Sequence, residues 1–294
     1  MSLWNQIRRV FVDPPPAYAF EVSPAGIAYS RAGKEPRLGF QPLDPGVLAV
    51  SPLRDNVLRP EVLFERVRAL APENGKGPRT AAVILPDYCA RVAVLDFDSF
   101  PPDKAEQLSL VRFRMKKGIP FDLESATVSY FVQTGHVKKH EVVAVAAALE
   151  IVARYEAAFR QAGFQPGYVT TSTLASLPLL PDDGVTVFAK LSGSTLTVAV
   201  LEAQSLRLLR CVDLPEISLS EVAGVLYPTL AYVEDELGSR PDSLVVSGFG
   251  DLTGEIHDLA GQDLALPVAD LRSRLGVVEQ TNAGLLGFVE MTKE

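Results

Sequence analysis

β-prone residues at 18–22 and 27–30 flank Ser23-Pro24-Ala25-Gly26, a pattern that predicts a β-hairpin. Val62, Leu63, Val67 and Leu70 recur at helical spacing and predict a helix over 60–70. Short apolar runs at 81–85 and 90–95 read as strands. A helix is expected over 103–117, with Asp103 as its cap, Glu106 three residues on and Gly118 as its stop. Its buried stripe would be Ala105, Leu108, Val111 and Met115. Two more strands follow at 127–133 and 141–147, then a helix over 150–162 with Val152, Tyr155, Phe159 and Ala162 inward. The last third opens on strands at 185–190 and 196–202 around Ser192-Gly193-Ser194, and a third strand at 205–212. Ser218 with Glu221 caps a long helix to Leu237, which Gly238 ends. A strand at 243–246 runs into a glycine-bearing turn at 247–254 and another helix. The strand–turn–strand of the first third recurs in the last, which suggests two related halves.

Composition narrows the functions open to such a chain. The 294 residues carry 28 basic and 36 acidic side chains, a net charge of −8, which argues against non-specific nucleic-acid binding. Cys89 and Cys211 fall on predicted strands and read as core residues in a reducing compartment, with no disulfide scaffold. The apolar run 142–149 is too short to span a bilayer, and no secretory leader is expected. Leu3, Trp4, Ile7 and Phe11 share one face of a short predicted helix stopped by Asp13-Pro14-Pro15-Pro16. That helix reads either as a docked terminus or as a weak, reversible foothold on a membrane surface.

Candidate chemistry is sparse. No P-loop is present, and Gly248, Gly250 and Gly254 miss the dinucleotide fingerprint because the last glycine falls one residue late. Their place between a strand and a helix still suits either an anion contact or a tight turn. His136 and His140 fall in a predicted hairpin loop without a third ligand nearby, so no metal site is expected. Ser247 lacks the preceding glycine of a nucleophile elbow, and His257 reads as a surface residue, so no catalytic triad is expected. Lys104, Arg112, Arg114, Lys116 and Lys117 gather on one helix, either as a solvated face or as a docking patch for an acidic partner or anionic lipid.

Several blocks resemble one family in order and spacing. These are Ala82-Val-Ile-Leu-Pro86, the helix ending at Gly118-Ile119-Pro120-Phe121, and Glu150-Ile151-Val152 with Tyr155. Ala162-Gly163-Phe164-Gln165-Pro166, Arg210, Leu244-Val-Val-Ser-Gly248 and Asn282-Ala283-Gly284-Leu285-Leu286-Gly287 follow in turn. Together they resemble the PilM family, the actin-like cytoplasmic components of type IV pilus assembly. That family is itself similar to the cytoplasmic region of the type II secretion L protein and to the division protein FtsA.

The resemblance implies an α/β, actin-like, ribonuclease H-like fold of two halves. The first half would span 1–79 and be completed by about 149–182. A small strand–helix–strand–strand module would be inserted at 80–148, with the second half at 183–294. It also implies an ATP site between the halves, where hairpin turns meet phosphates and an acidic residue directs Mg²⁺ or water. Here the positions depart from the family's pattern. The first hairpin reads Glu21-Val22-Ser23-Pro24, and Pro24 removes an N–H donor. In the second, Lys190 stands at the aspartate position and Ser192, before Gly193, at the glycine position. A lysine cannot hold Mg²⁺. The adenosine turn reads Gly248-Phe249-Gly250, and Phe249 is expected to crowd the base. About five residues replace the subdomain that covers the adenine in the family. The expectation is therefore a scaffold with a vestigial nucleotide site and no cofactor, with an ATP- and Mg²⁺-using ATPase or an FtsA-like or L-protein-like membrane adaptor as alternatives. By the same resemblance it would lie on the cytoplasmic side of the inner membrane. Its partner would be the tail of a PilN-like inner-membrane protein, with other pilus assembly proteins as further partners. The cluster at Arg112, Arg114, Lys116 and Lys117 is the candidate docking edge.

Overall fold

The computed structural model describes residues 15–33, 36–71, 79–133, 139–238 and 240–293. Leu3, Trp4, Ile7, Phe11 and His136 therefore lie outside the described residues.

Two five-stranded sheets repeat one topology. In the first, β1 (Tyr18–Ser23), β2 (Gly26–Arg31) and β3 (Arg37–Pro42) form an antiparallel meander. Strand β4 (Thr80–Leu85) then pairs parallel to β1, and β8 (Gln165–Thr171) parallel to β4. In the second, β9 (Val185–Ser192), β10 (Thr195–Glu202) and β11 (Ser205–Asp213) form the meander. Strand β12 (Ser243–Ser247) pairs parallel to β9, and β13 (Val268–Asp270) to β12. The spatial orders β3-β2-β1-β4-β8 and β11-β10-β9-β12-β13 are the same path drawn twice. Strands β4, β9 and β12 are almost wholly buried because layers cover both of their faces.

Helix α1 (Pro60–Ala69) and α3 (Leu149–Gln161) close the first half through Leu63, Val67, Ile151, Tyr155 and Phe159. Helix α5 (Leu219–Leu237) closes the second through Val222, Val225, Leu226 and Val233. Its cap is as expected: Ser218 Oγ accepts from Glu221 N at 3.4 Å, and Gly238 turns left-handed at φ 64°. Only residues 214–218 join β11 to α5, room for a loop alone. Short helices α4 (Ser172–Ser176) and α6 (Thr253–Asp258) follow β8 and β12. Helix α7 (Ala283–Lys293) returns to the first half, packing Leu285, Phe288 and Val289 against Ala82, Ile84 and Ala175.

Between β4 and α3 lies a three-stranded antiparallel sheet, β5 (Ala90–Phe97), β7 (His140–Ala148) and β6 (Ala126–Gln133), with helix α2 (Lys104–Met115) on it. Asp103 accepts from Ala105 N at 2.9 Å and Glu106 N at 3.0 Å, so the cap is as expected. The helix is rotated from the expected stripe: Ala105 is exposed, and Gln107 is buried with Val111 and Met115. Tyr130 explains the difference, since its hydroxyl donates to Gln107 Oε1 at 2.7 Å and gives a buried amide a partner.

The module begins later than residue 80. Thr80–Leu85 pairs with β1 and β8 and so belongs to the first half. Cys89 lies in a 3₁₀ turn, Asp87–Cys89, rather than on a strand, while Cys211 lies on β11. Strands β3, β8 and β13 carry no sustained alternation and were not expected; sheet neighbours hold them.

Candidate functional site

The two hairpins place related positions at the junction of the halves. Glu21 lies three residues before the turn of β1–β2, and Lys190 three before the turn of β9–β10. One carries an acid and the other a base, and both are buried, 3% and 2% exposed.

Asp87 joins them. It follows the apolar strand β4 through Pro86 and sits in the 3₁₀ turn that leads into the module. Lys190 Nζ donates to Asp87 Oδ2 at 2.9 Å, and Thr197 Oγ1 donates to the same oxygen at 3.3 Å. Thr173, in the first turn of α4, donates its N–H to Oδ1 and its hydroxyl to Oδ2, both at 2.7 Å. Burial pushes the Asp87 carboxyl up, but the Lys190 ammonium and the Thr173 bonds outweigh it and hold the carboxyl below its ordinary value.

Glu21 answers differently. Oε1 accepts from Ser172 Oγ, and Oε2 accepts from Leu285 N at 2.7 Å, at the start of α7. Burial raises its pKa and prevails over Lys190, Ser172 and Leu285, while Asp87 adds to the rise. The cluster thus holds Lys190 with two carboxyl groups, and burial shifts Glu21, the one without an ion-pair partner, toward its neutral form. Burial also raises the Cys89 thiol, and it raises Cys211 to about 12, so neither is poised as a thiolate.

The residues do not fit Mg²⁺ and a triphosphate in this arrangement. Both carboxyl groups of the centre are already engaged, and an ammonium stands where the resemblance implies a carboxylate. In the first turn Pro24 has no N–H, and Gly26 spends its own on Ser23 Oγ at 3.3 Å. Phe40 covers Gly26, where a Cβ would come within 2.4 Å of its ring. In the second turn Ser192 ends β9 and Gly193 turns left-handed at φ 58°.

At the third turn, Phe249 is 4% exposed, belongs to the core cluster of Ile256 and Leu259, and also lines the cavity described next. Gly248 is required there, at φ 81° with Leu191 O where a Cβ would stand. Beside Gly248 and Gly250 opens a cavity of about 560 Å³, also lined by Ser247, Asp270, Arg272 and Glu279. Gln280 Nε2 donates to Gly248 O at 2.9 Å on its rim. His257 stands outside, 3.2 Å from Asp270.

The basic cluster is divided. Arg112 is half-buried, and its guanidinium donates to Leu123 O, so it is not the free surface charge expected of it. Arg114 stacks 5.3 Å over the Phe97 ring. Lys116 and Lys117 are exposed.

The module is tied to the second half as well as to the first. Val92, Val94, Phe131 and Val143 pack against Phe188, Ala199, Leu201 and Leu206. Gln133 Nε2 donates to Leu206 O at 2.9 Å, and Leu206 N donates back to Gln133 Oε1 at 2.7 Å. Arg207 pairs with Glu141 on β7.

Two repeated sheets around one polar junction are matched by a solved structure described as having an actin-like ATPase fold. The fold is actin-like. That protein, from Bacteroides thetaiotaomicron and of unknown function, has a TM-score of 0.54 at 11% identity over 88% of this chain and 94% of its own. A chain of a PilM–PilN type IV pilus biogenesis complex has a TM-score of 0.68 at 18% identity, over 95% of this chain and 99% of that one. The cytoplasmic domain of EpsL, an inner-membrane component of the type II secretion system of Vibrio cholerae, has a TM-score of 0.50 at 15% identity, over 94% of each chain. No family model and no curated protein matches the sequence. Among the described residues of this actin-like chain, no helix is long and apolar enough to cross a membrane, and no group of His, Cys, Asp and Glu is placed to hold a metal ion.

Asp87 was not expected from the sequence. Its signal is an acidic residue directly after an apolar strand and a proline, Leu85-Pro86-Asp87. Ser172, Thr173 and Leu285 carry no such signal, since they reach the junction only through the return of α4 and α7.

Proposed function

We propose that this chain is a non-catalytic actin-like scaffold on the cytoplasmic face of a type IV pilus or related secretion assembly, where it docks the tail of a PilN-like membrane protein. The observation that carries the reading is the Lys190–Asp87 pair, whose side chains are 2% and 4% exposed at the centre of the molecule. An ion pair buried there takes over the charge neutralisation that a metal–phosphate group would otherwise supply between the halves. The likeness to the PilM–PilN complex and to the EpsL domain supports the machinery; it comes from fold alone. Calorimetry with ATP and Mg²⁺ should give no binding heat, and the chain should co-purify with the cytoplasmic tail of a co-encoded pilus membrane protein. Micromolar ATP affinity, or retention of no such tail, overturns the reading.

A second reading, nucleotide binding without turnover, is favoured by the cavity beside Gly248 and Gly250. The same calorimetry separates the two. Saturable binding that survives removal of Mg²⁺ and disappears with Gly250→Val would favour the second.

A further inference from the structure

From Cys211 to Ser239 the chain carries six carboxylates, Asp213, Glu216, Glu221, Glu234, Asp235 and Glu236, and no Lys, Arg or His. Helix α5 fills most of this stretch. Its inner side is core, yet its outer side is not the polar face a solvated helix usually shows. Gly224, Tyr227, Pro228, Ala231 and Tyr232 are exposed and lie three or four residues apart, on one stripe. Tyr227 is 46% exposed, Tyr232 39%, and Ile217, just before the helix, 50%. Asp235 and Glu236 continue the stripe, one turn beyond Ala231 and Tyr232.

Pro228 adds a second feature. A proline inside a helix is strongly unfavourable relative to alanine, and this one is exposed, so its ring gains little from packing. It also has no N–H to return to the Gly224 carbonyl. Nothing crowds Gly224, because a Cβ there would meet no atom within 4 Å. The centre of the apolar stripe is therefore uncovered, with an acidic rim at one end. Arg240 takes up one rim carboxylate, Glu234, at 3.0 Å from a side chain that is itself 80% exposed. No ion pair among the described residues engages Asp235 or Glu236.

We propose that this face docks a cationic, apolar segment, namely the Lys/Arg-rich cytoplasmic stretch that borders a transmembrane helix of the membrane partner. The source of the segment rests on the scaffold reading above. Its chemistry rests on the face itself. Cytoplasmic segments next to membrane spans carry an excess of Lys and Arg, so they arrive with the charge the rim attracts. The two tyrosine rings offer flat apolar area and accept cations on their faces. The exposed lysines of α2, on the separate module, would repel such a segment.

The test uses the full chain and a fluorescein-labelled synthetic peptide of alternating Leu and Lys, with a Leu–Glu peptide as control, read by anisotropy. The Leu–Lys peptide should bind at about 0.05 M salt and weaken about tenfold or more at about 0.3 M, as screened charges require. Tyr227→Ser with Tyr232→Ser should weaken it at least tenfold. Asp235→Lys with Glu236→Lys should weaken it further. Glu61→Lys with Glu65→Lys, an equal change of charge on exposed positions of α1, should leave it within twofold. Equal losses from the α1 and α5 variants, or no binding at low salt, overturn the proposal. Co-purification with a partner tail separates the readings. If unaltered protein and α5 variants retain the tail equally, this face is wrong and the scaffold stands. If unaltered protein binds the Leu–Lys peptide at α5 but retains no tail, the face stands and the scaffold reading fails.

Discussion

Lys190 Nζ lies 2.9 Å from Asp87 Oδ2 and connects β9 of the second half to the turn after β4 of the first. Neither charge reaches solvent, so each depends on the other. Replacing Lys190 by Met should cost about 3–5 kcal/mol, because it leaves the Asp87 carboxylate buried and unpaired. The double change Lys190→Met with Asp87→Asn should recover a large part of the loss. Urea unfolding of the single and double variants measures both, and a K190M protein as stable as the original would refute the pairing.

Glu21 should give the stability a pH dependence of its own. Its folded pKa is above the ordinary 4.5, so its contribution is complete below that value and fades as pH rises through the folded pKa. Glu21→Gln removes this titration. The original chain should therefore lose stability relative to E21Q as pH rises from 4.5 through the folded value. Asp87 works in the opposite sense: its lowered pKa stabilises above 3.8, and that part is lost as pH falls through the folded value. Melting curves of the two proteins across the pH range test this, and parallel profiles would contradict it.

Gln133 acts as a short piece of strand for Leu206, giving and taking one hydrogen bond. Gln133→Ala should strand a buried N–H and C=O on β11 and cost about 1–3 kcal/mol for each group that finds no water. Amide exchange at Leu206 should quicken with little change in the first-half sheet. Uniform loss of protection would show instead that the module and both halves open as one unit.

Gly287 lets α7 rest directly on the α4 backbone, since a Cβ there would fall 2.2 Å from Ala175 O. Gly287→Ala should destabilise by about 1–3 kcal/mol even though alanine favours helix, because the contact atom is backbone and cannot swing away. Gly224→Ala on α5, in open space, should be neutral or stabilising. Thermal unfolding of the pair decides between propensity and packing.

The sequence by itself determined the elements whose cause is local. Asp103, Ser218 and Gly238 begin and end helices through bonds to their own backbone neighbours, and the turns at Pro24 and Gly193 follow from the residues that occupy them. Glu21 and Lys190 stood out only against the hairpins of the family the sequence resembles, not by any local rule. The sequence took Arg112 for surface, because nothing near it in the chain announces the Leu123 carbonyl. What only the tertiary structure decided is the company these residues keep. Asp87 meets Lys190 across 103 residues, and Glu21 meets Leu285 across 264. Those meetings depend on how two sheets and two returning helices stack. Burial then sets the outcome: in the dry centre an isolated lysine would be costly, and beside Asp87 it holds the two halves together.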